Sequence, residues 1–226
     1  MEEYDLLLEN VKENKTMAEK IYLHPVLERV WHAIHAICIV VLIISGAQIH
    51  WPGAIHLFGS FQTAVSVHNW FGLLLVADFL LWLIYNLVSR RIIHYIPNKR
   101  DIPNGLIVQA KFYICGIFKH DPHPYPPTVD EKFNPLQKMS YLMFMGLMMP
   151  ILLISGILYL YPLYFADFIT SIGGLKVLAV IHFILAIIFA AFLIAHLYLA
   201  TTGHTIQDNF ISIVTGYADS EEEEEA

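Results

Sequence analysis

Four histidines lie where membrane helices could bring their side chains together. They are His32, His68, His182 and His196. The last two lie on one apolar segment, fourteen residues apart, which corresponds to about 21 Å along a helix and to nearly the same helix face. An imidazole nitrogen is a common axial ligand of haem iron. One helix could therefore hold one haem ligand near each surface of a membrane.

The composition indicates the elements that must position these histidines. Of the 226 residues, 57% are hydrophobic and only 15% are charged, and the mean hydropathy is +0.56. Four apolar stretches have the length of about 20 residues that a bilayer requires; they cover about 30–50, 68–88, 139–161 and 176–200. We therefore expect an all-α, integral membrane four-helix bundle. Residues 1–226 would form one di-haem domain with a loop at 89–134 and an acidic tail at 218–226.

The positive charges predict the orientation of this bundle. Twelve of the thirteen Lys and Arg residues precede the first apolar stretch or lie between the second and the third. By the positive-inside rule, both termini and the central loop are cytoplasmic. The first apolar stretch comes late and has full span length, so we expect it to direct insertion without a cleavable signal peptide. The net charge of -7 comes mainly from the tail, and we expect no nucleic-acid partner.

Chain direction predicts how the four histidines pair. His32 opens the first helix at its cytoplasmic end, and His68 opens the second helix at the opposite face. His182 lies near the outer end of the last helix, and His196 lies near its cytoplasmic end. Depth therefore pairs His32 with His196 and His68 with His182, and each pair could bind one haem iron. A single intramembrane His is more often bonded to a backbone carbonyl, but four that match in depth favour ligation, because ionisable groups in lipid are usually functional.

Several other classes of protein are disfavoured by the motifs. There is no C-x-x-C-H sequence for a covalently bound haem and no Cys cluster for an iron–sulfur centre. There is also no H-E-x-x-H of a metalloprotease and no G-x-G-x-x-G of a nicotinamide-dependent reductase. The alternative function is an intramembrane metal-ion transporter that uses His and Asp side chains. Such a site would more often gather its ligands at one depth near the midplane.

Some polar and small residues within the apolar stretches have two interpretations. Ser45-Gly46 and Ser155-Gly156 could let a macrocycle approach the backbone, or they could serve ordinary helix packing. Asp78 is either a proton relay or a buried hydrogen-bond partner. His35, one turn after His32, could contact a haem propionate or replace His32 as a ligand.

Motifs spread over almost the whole chain resemble one protein family. They are Arg29-Val-Trp-His32, Ser45-Gly46, His68-Asn-Trp-Phe-Gly72, Asn134-Pro-Leu-Gln137-Lys138, and His182 followed by Ala195-His196-Leu-Tyr198-Leu-Ala200. The chain resembles the di-haem cytochrome b subunit of membrane-bound nickel-iron hydrogenases, formate dehydrogenases and thiosulfate reductases. Its end, from Thr202 to Tyr217, is similar to the last two branches. Ala33 stands where the family often has an aromatic residue.

The resemblance implies a quinone-reactive membrane anchor, an electron-transfer subunit of an oxidoreductase complex. It would transfer electrons across a bacterial or archaeal cytoplasmic membrane, between an attached hydrophilic redox subunit containing iron–sulfur or haem groups and menaquinone or ubiquinone. The four histidines would hold two haem b groups. The resemblance places the quinone near His196 and Asn134, with Gln137 and Lys138 as further contacts. The plain alternative for these last residues is an interfacial helix start with a snorkelling Lys.

Six further histidines are not expected to bind a cofactor. His50 and His56 lie in the first outer loop, and four others lie in cytoplasmic segments: His94, His120, His123 and His204. The prolines in Lys119–Pro127 favour an extended connector over a metal site. Within the central loop, Ile102–Phe118 could be an amphipathic helix on the membrane surface or a docking surface for a partner. The partner's substrate and the direction of electron flow stay open.

Overall fold

The structure is a computed structural model that describes residues 20–119, 121–128, 131–203 and 205–219. Its elements are, in chain order, β1 (Lys20–Tyr22), α1 (Val26–His50), α2 (Phe61–Val88), α3 (Leu106–Lys111), α4 (Pro135–Leu160), α5 (Ala166–Ser171), α6 (Leu175–Ala200), α7 (Asp208–Thr215) and β2 (Tyr217–Asp219). Within the described residues, α1, α2, α4 and α6 are long and apolar enough to cross a membrane. The predicted all-α membrane fold is confirmed.

Each membrane helix begins earlier than the sequence predicted, and the difference is largest for α2. This helix starts at Phe61, where the Ser60 hydroxyl accepts a hydrogen bond from the Thr63 N–H at 3.0 Å. A capping serine of this kind satisfies one of the unpaired N–H groups at a helix start. His68 consequently lies seven residues inside α2. The expectation that His68 opens the second helix is therefore wrong.

Helix α4 contains one wide turn that reflects its sequence. The helix begins at Pro135, a residue suited to the first helical position because it needs no N–H partner there. Residues Leu142–Met148 have π-type hydrogen bonding, and this segment ends two residues before Pro150. Pro150 cannot donate to the carbonyl of Gly146, four residues earlier, and its ring crowds that carbonyl. The wide turn accommodates this local loss of the helical pattern.

Residues 30–97 and 137–199 form one compact unit that contains most of the four membrane helices. At one end of it, Leu158 of α4, Ile169 of α5 and Leu178 of α6 are buried together. The segment 162–175, which joins the last two apolar stretches of the sequence, therefore includes a short helix that closes this end of the bundle. Gly173 and Gly174, both with positive φ, form the turn into α6.

The second compact unit comprises the described parts of 1–29, 98–136 and 200–226. Strands β1 and β2 pair antiparallel in it, so Ala218 and Asp219 belong to a sheet rather than to the expected acidic tail. Residues 220–226 of that tail lie outside the described residues. Gly216, which has φ +92°, accepts backbone hydrogen bonds at the start of β2. Glu28 and Lys132 form an ion pair in the same unit.

The central loop is helical where the sequence predicted an amphipathic segment. Helix α3 continues through tighter and wider turns as far as Lys119. Gln109 is fully buried, whereas Ile107, Ile114 and Phe118 are exposed. The segment thus has one face packed within its own unit and one apolar exposed face, and its location at the membrane surface stays a prediction. His120 lies outside the described residues.

Candidate functional site

The structure brings the four histidines together as two pairs of rings. The ring centroids of His32 on α1 and His196 on α6 are 6.3 Å apart. Those of His68 on α2 and His182 on α6 are also 6.3 Å apart. Both pairs lie within the bundle unit. The arrangement matches the pairing expected from depth along the chain.

The separation within each pair fits an iron atom between the two rings. A metal–imidazole bond is about 2.0 Å and the ring nitrogen lies about 1.1 Å from the ring centre, so opposite ligands of one metal have centroids about 6 Å apart. Two rings joined directly by a hydrogen bond of about 2.9 Å would have centroids about 5 Å apart. The observed 6.3 Å agrees with the first arrangement for both pairs. The residues present therefore fit two haem groups with axial histidines.

The rings of His68 and His182 are each held by a serine. Ser45 Oγ lies 2.9 Å from Nδ1 of His68, and Ser155 Oγ lies 2.8 Å from Nδ1 of His182. Each serine is buried and is followed by the glycine that the sequence singled out. The two Ser-Gly pairs thus serve the His68–His182 pair directly. The sequence showed these pairs but gave no signal that their hydroxyls bond to histidine.

The His32–His196 pair has aromatic neighbours instead. Phe192 stacks on His196 with the centroids 5.8 Å apart, and Phe144 stacks on Phe192 at 3.9 Å. Trp31 approaches His32 edge-on at 6.5 Å. The described residues place no hydrogen-bonding side chain on either of these two imidazoles. The two pairs therefore share one spacing but differ in the groups that hold the rings.

Asp78 and His35 form a separate contact between α2 and α1. Asp78 Oδ2 lies 2.8 Å from His35 Nδ1, and the side chain of Asp78 is 4% exposed. Trp31 packs over the ring of His35 with the centroids 5.0 Å apart. The structure therefore gives Asp78 a buried hydrogen-bond partner, which was one of its two interpretations. Since His35 is engaged by Asp78 while His32 faces His196, the geometry favours His32 over His35 as a ligand.

In the second unit, Asn134 belongs to a polar cluster that sequence reasoning missed. Asn134 is buried, and its Nδ2 donates to the hydroxyl of Tyr113 at 3.2 Å. Gln109 is also hydrogen-bonded to Tyr113 and lies near His123. Burial raises the pKa of the Tyr113 phenol, and the hydrogen bonds with Asn134 and Gln109 act in the opposite direction. Tyr113 is therefore a neutral phenol near pH 7.

Gln137 and Lys138 lie in the first turn of α4, within the bundle unit. Lys138 is 4% exposed. A snorkelling lysine would keep its ammonium group in water, so the burial of Lys138 contradicts the snorkelling lysine of the plain interpretation. The helix start that this interpretation also includes is present at Pro135. Asn134 lies in the other unit.

The other described histidines take no part in these pairs. His50 is the last residue of α1, not a loop residue, and stacks on Phe183 at 4.1 Å. His56 is exposed, and His94 lies in a short helical turn. Among the described residues, no three or more His, Cys, Asp or Glu side chains form a group that could hold a metal ion. The geometry therefore gives the metal-ion transporter alternative no support.

Two comparisons with known proteins bear on the family of this chain. A family model described as prokaryotic cytochrome b561 matches residues 23–216, a range that includes both histidine pairs. YdhU of Escherichia coli (strain K12), which bears the provisional name of a cytochrome, is 37% identical to this chain over 201 residues. The similar region covers 88% of this chain and 75% of YdhU.

Proposed function

Because this chain belongs to the prokaryotic cytochrome b561 family, we propose that it binds two haem b groups and transfers electrons between the quinone pool and an attached redox enzyme. The chain is a multi-pass membrane b-type cytochrome of electron transfer, and haem b is its cofactor. One haem would be held by His32 and His196, and the other by His68 and His182. When bound, each haem supplies a one-electron iron couple.

The observation that carries this proposal is the equal spacing of the two ring pairs. Each pair has its centroids 6.3 Å apart, which suits opposite axial ligands of one iron. The ligands also come from matching positions, since His68 and His182 each lie seven residues after the first residue of their helix. On α6, His182 and His196 are separated by about 21 Å along the axis. The two ring pairs thus lie at two levels along α6, which supports the proposed transfer of electrons between two haems across the membrane.

The quinone site is proposed around Asn134, Gln137 and Lys138. Quinone reduction consumes two electrons and two protons, so the site needs donors for the carbonyl oxygens and groups that exchange protons with water. Tyr113 supports this assignment, because its hydroxyl accepts from Asn134 and holds the amide in one orientation. Gln137 and Lys138 supply further donors on the first turn of α4.

The proposed orientation rests on the distribution of positive charge, and the proposed partner rests on the resemblance of the motifs. The distribution of Lys and Arg supports a cytoplasmic position for both termini and for the central loop, which would put the His32–His196 pair on the cytoplasmic side. We propose a bacterial or archaeal cytoplasmic membrane as the location. The motifs resemble subunits that serve hydrogenases, formate dehydrogenases and thiosulfate reductases, so the partner would be a hydrophilic subunit of this kind.

Optical spectroscopy with haem quantification tests the proposal. The purified protein should show a b-type band in its reduced-minus-oxidised spectrum and contain two haems per chain by the pyridine haemochrome method. Reduction by a quinol should elicit the same band. A preparation that folds in detergent with no haem band, or with one haem per chain after haem reconstitution, would refute the di-haem proposal.

A further inference from the structure

We propose that Ser45 and Ser155 are positioning residues that hold His68 and His182 in the one tautomer able to bind iron through Nε2, and that they thereby lower the reduction potential of that site. This inference rests on the haem ligation proposed above. It adds a role for two side chains that touch the ligands and not the iron.

The hydrogen atoms of the two hydroxyl groups decide which atom donates. Ser45 Oγ lies 2.7 Å from the carbonyl oxygen of Val41, one helical turn earlier, and Ser155 Oγ lies 2.8 Å from that of Leu152. A carbonyl oxygen only accepts, so each serine donates its single hydrogen to the backbone. The same Oγ lies 2.9 Å from Nδ1 of His68 or 2.8 Å from Nδ1 of His182. Each Oγ therefore accepts from the histidine, which also bonds to a backbone carbonyl, that of Leu42 for His68 and that of Leu152 for His182.

This assignment fixes the state of both imidazoles. Each ring is protonated at Nδ1, and in a neutral imidazole the lone pair is then on Nε2. A metal-binding histidine whose other nitrogen donates a hydrogen bond is held in orientation and becomes a more basic ligand. A more basic ligand stabilises the ferric state more than the ferrous state. The two serines therefore shift the iron couple between His68 and His182 towards lower potential.

The glycine after each serine makes room for the ring it holds. A Cβ atom at Gly46 would lie 3.3 Å from Cε1 of His68, and one at Gly156 would lie 3.5 Å from Cε1 of His182. The Ser-Gly dipeptide thus combines a hydrogen-bond acceptor with a surface flat enough for an imidazole to lie against the helix. Ser45-Gly46 of α1 holds His68 of α2 in this way, and Ser155-Gly156 of α4 holds His182 of α6.

The His32–His196 pair provides an internal reference for this effect. Its rings contact aromatic side chains such as Phe192, and neither ring has a serine partner among the described residues. Loss of the two serine hydroxyls should therefore change one redox centre of the protein and leave the other unchanged.

A redox titration of serine variants tests the inference. Ser45→Ala/Ser155→Ala should weaken the preference for ferric over ferrous iron about tenfold, the lower end of what such outer contacts contribute. For a one-electron couple this raises the midpoint potential by about 59 mV. Each single variant should give about half of that shift, and the threonine variants, which keep a hydroxyl, should restore most of it. The centre affected is identified as the one missing in His68→Ala.

Ser89→Ala is the matched control, because Ser89 also donates to a helix carbonyl, that of Tyr85, but has no hydrogen bond to a histidine among the described residues. It should leave both potentials at their wild-type values. If the double alanine variant keeps two haems with both potentials unchanged, the inference is refuted while the proposed function stands. A shift shared equally by both centres would also refute it. Wild-type protein without two haems would instead refute the proposed function.

Discussion

The contact between Asp78 and His35 makes a quantitative prediction about the bundle. The two groups lie 2.8 Å apart between α2 and α1, and Asp78 is 5% exposed. Asp78→Ala removes the acceptor and leaves the His35 N–H buried without it, which costs about 1–3 kcal/mol. At about 2–4 °C per kcal/mol for a chain of this size, a central cost of about 2 kcal/mol lowers the unfolding temperature by about 4–8 °C.

A matched series separates the hydrogen bond from the loss of side-chain volume. Asp78→Asn keeps an acceptor but loses the charge, so we expect about half the destabilisation of Asp78→Ala. His35→Ala removes the donor, and the double variant His35→Ala/Asp78→Ala should lose less stability than the two single variants add up to. The coupling free energy should be about 1.5–3 kcal/mol, as for hydrogen bonds to charged groups.

Thermal unfolding followed by far-ultraviolet circular dichroism, with haem content measured in parallel, checks this series. A coupling free energy below about 0.5 kcal/mol would refute the reasoning, because contacting buried groups normally couple more strongly. One other combination of results would identify Asp78 as a proton relay instead. If Asp78→Ala and Asp78→Asn both lose quinone turnover while the unfolding temperature stays at the wild-type value, the carboxylate acts as a proton relay.

Four further substitutions have distinct expected outcomes. His196→Ala should lower the haem content from two to one per chain and abolish quinone turnover, whereas His68→Ala should remove one haem only, as pyridine haemochrome content and quinol oxidation will show. Asn134→Ala should leave both haem spectra intact and reduce quinone turnover about tenfold, which corresponds to about 1.4 kcal/mol, the strength of one hydrogen bond. Gly216→Ala should destabilise the unit containing β1 and β2 by about 1–3 kcal/mol, since its φ is +92° and the new Cβ would lie 2.7 Å from the His24 carbonyl oxygen; limited proteolysis of this unit measures the loss.

Each of these substitutions has a control in the same chain. His56→Ala removes an exposed histidine and should retain both haems. Asn209→Ala removes an exposed amide that bonds to a helix end. Gly53→Ala places its Cβ where no atom lies within 4 Å. Two haems retained in His196→Ala would contradict the pairing of the histidines. Full quinone turnover and inhibitor sensitivity in Asn134→Ala would contradict the quinone site.

The pairing of the histidines was predictable because a membrane restricts the fold so strongly. A span needs about 20 apolar residues, and successive spans run in opposite directions, so position along the chain gives depth. His182 and His196 on one helix then define two levels, to which His32 and His68 can be matched. The predicted pairing does not depend on the start of α2, which the sequence placed seven residues too late. His68 still faces His182.

The groups that hold the rings were not predictable in the same way. Ser45 and Ser155 look like ordinary small residues of membrane helices, and only the rotation of each helix shows that their hydroxyls meet a histidine. Asp78 and His35 are 43 positions apart, and periodicity alone does not reveal that they touch. Tyr113 was missed for a related reason, because it lies in the central loop, where the sequence shows no regular span. Side-chain contacts between segments depend on packing that depth does not determine.

The contacts also show how the two halves of the bundle are organised. Ser45 meets His68 near the turn between α1 and α2, and ten residues farther along each helix His35 meets Asp78. These contacts lie within one antiparallel hairpin, just as Ser155 and His182 lie within the hairpin of α4 and α6.

Both histidine pairs, in contrast, join the first hairpin to the second. Each hairpin thus orients its own histidine, and the proposed haems would add a link between the hairpins to the direct contact of His50 with Phe183. Cofactor loss should therefore loosen the association of the two hairpins more than the helical structure of either one.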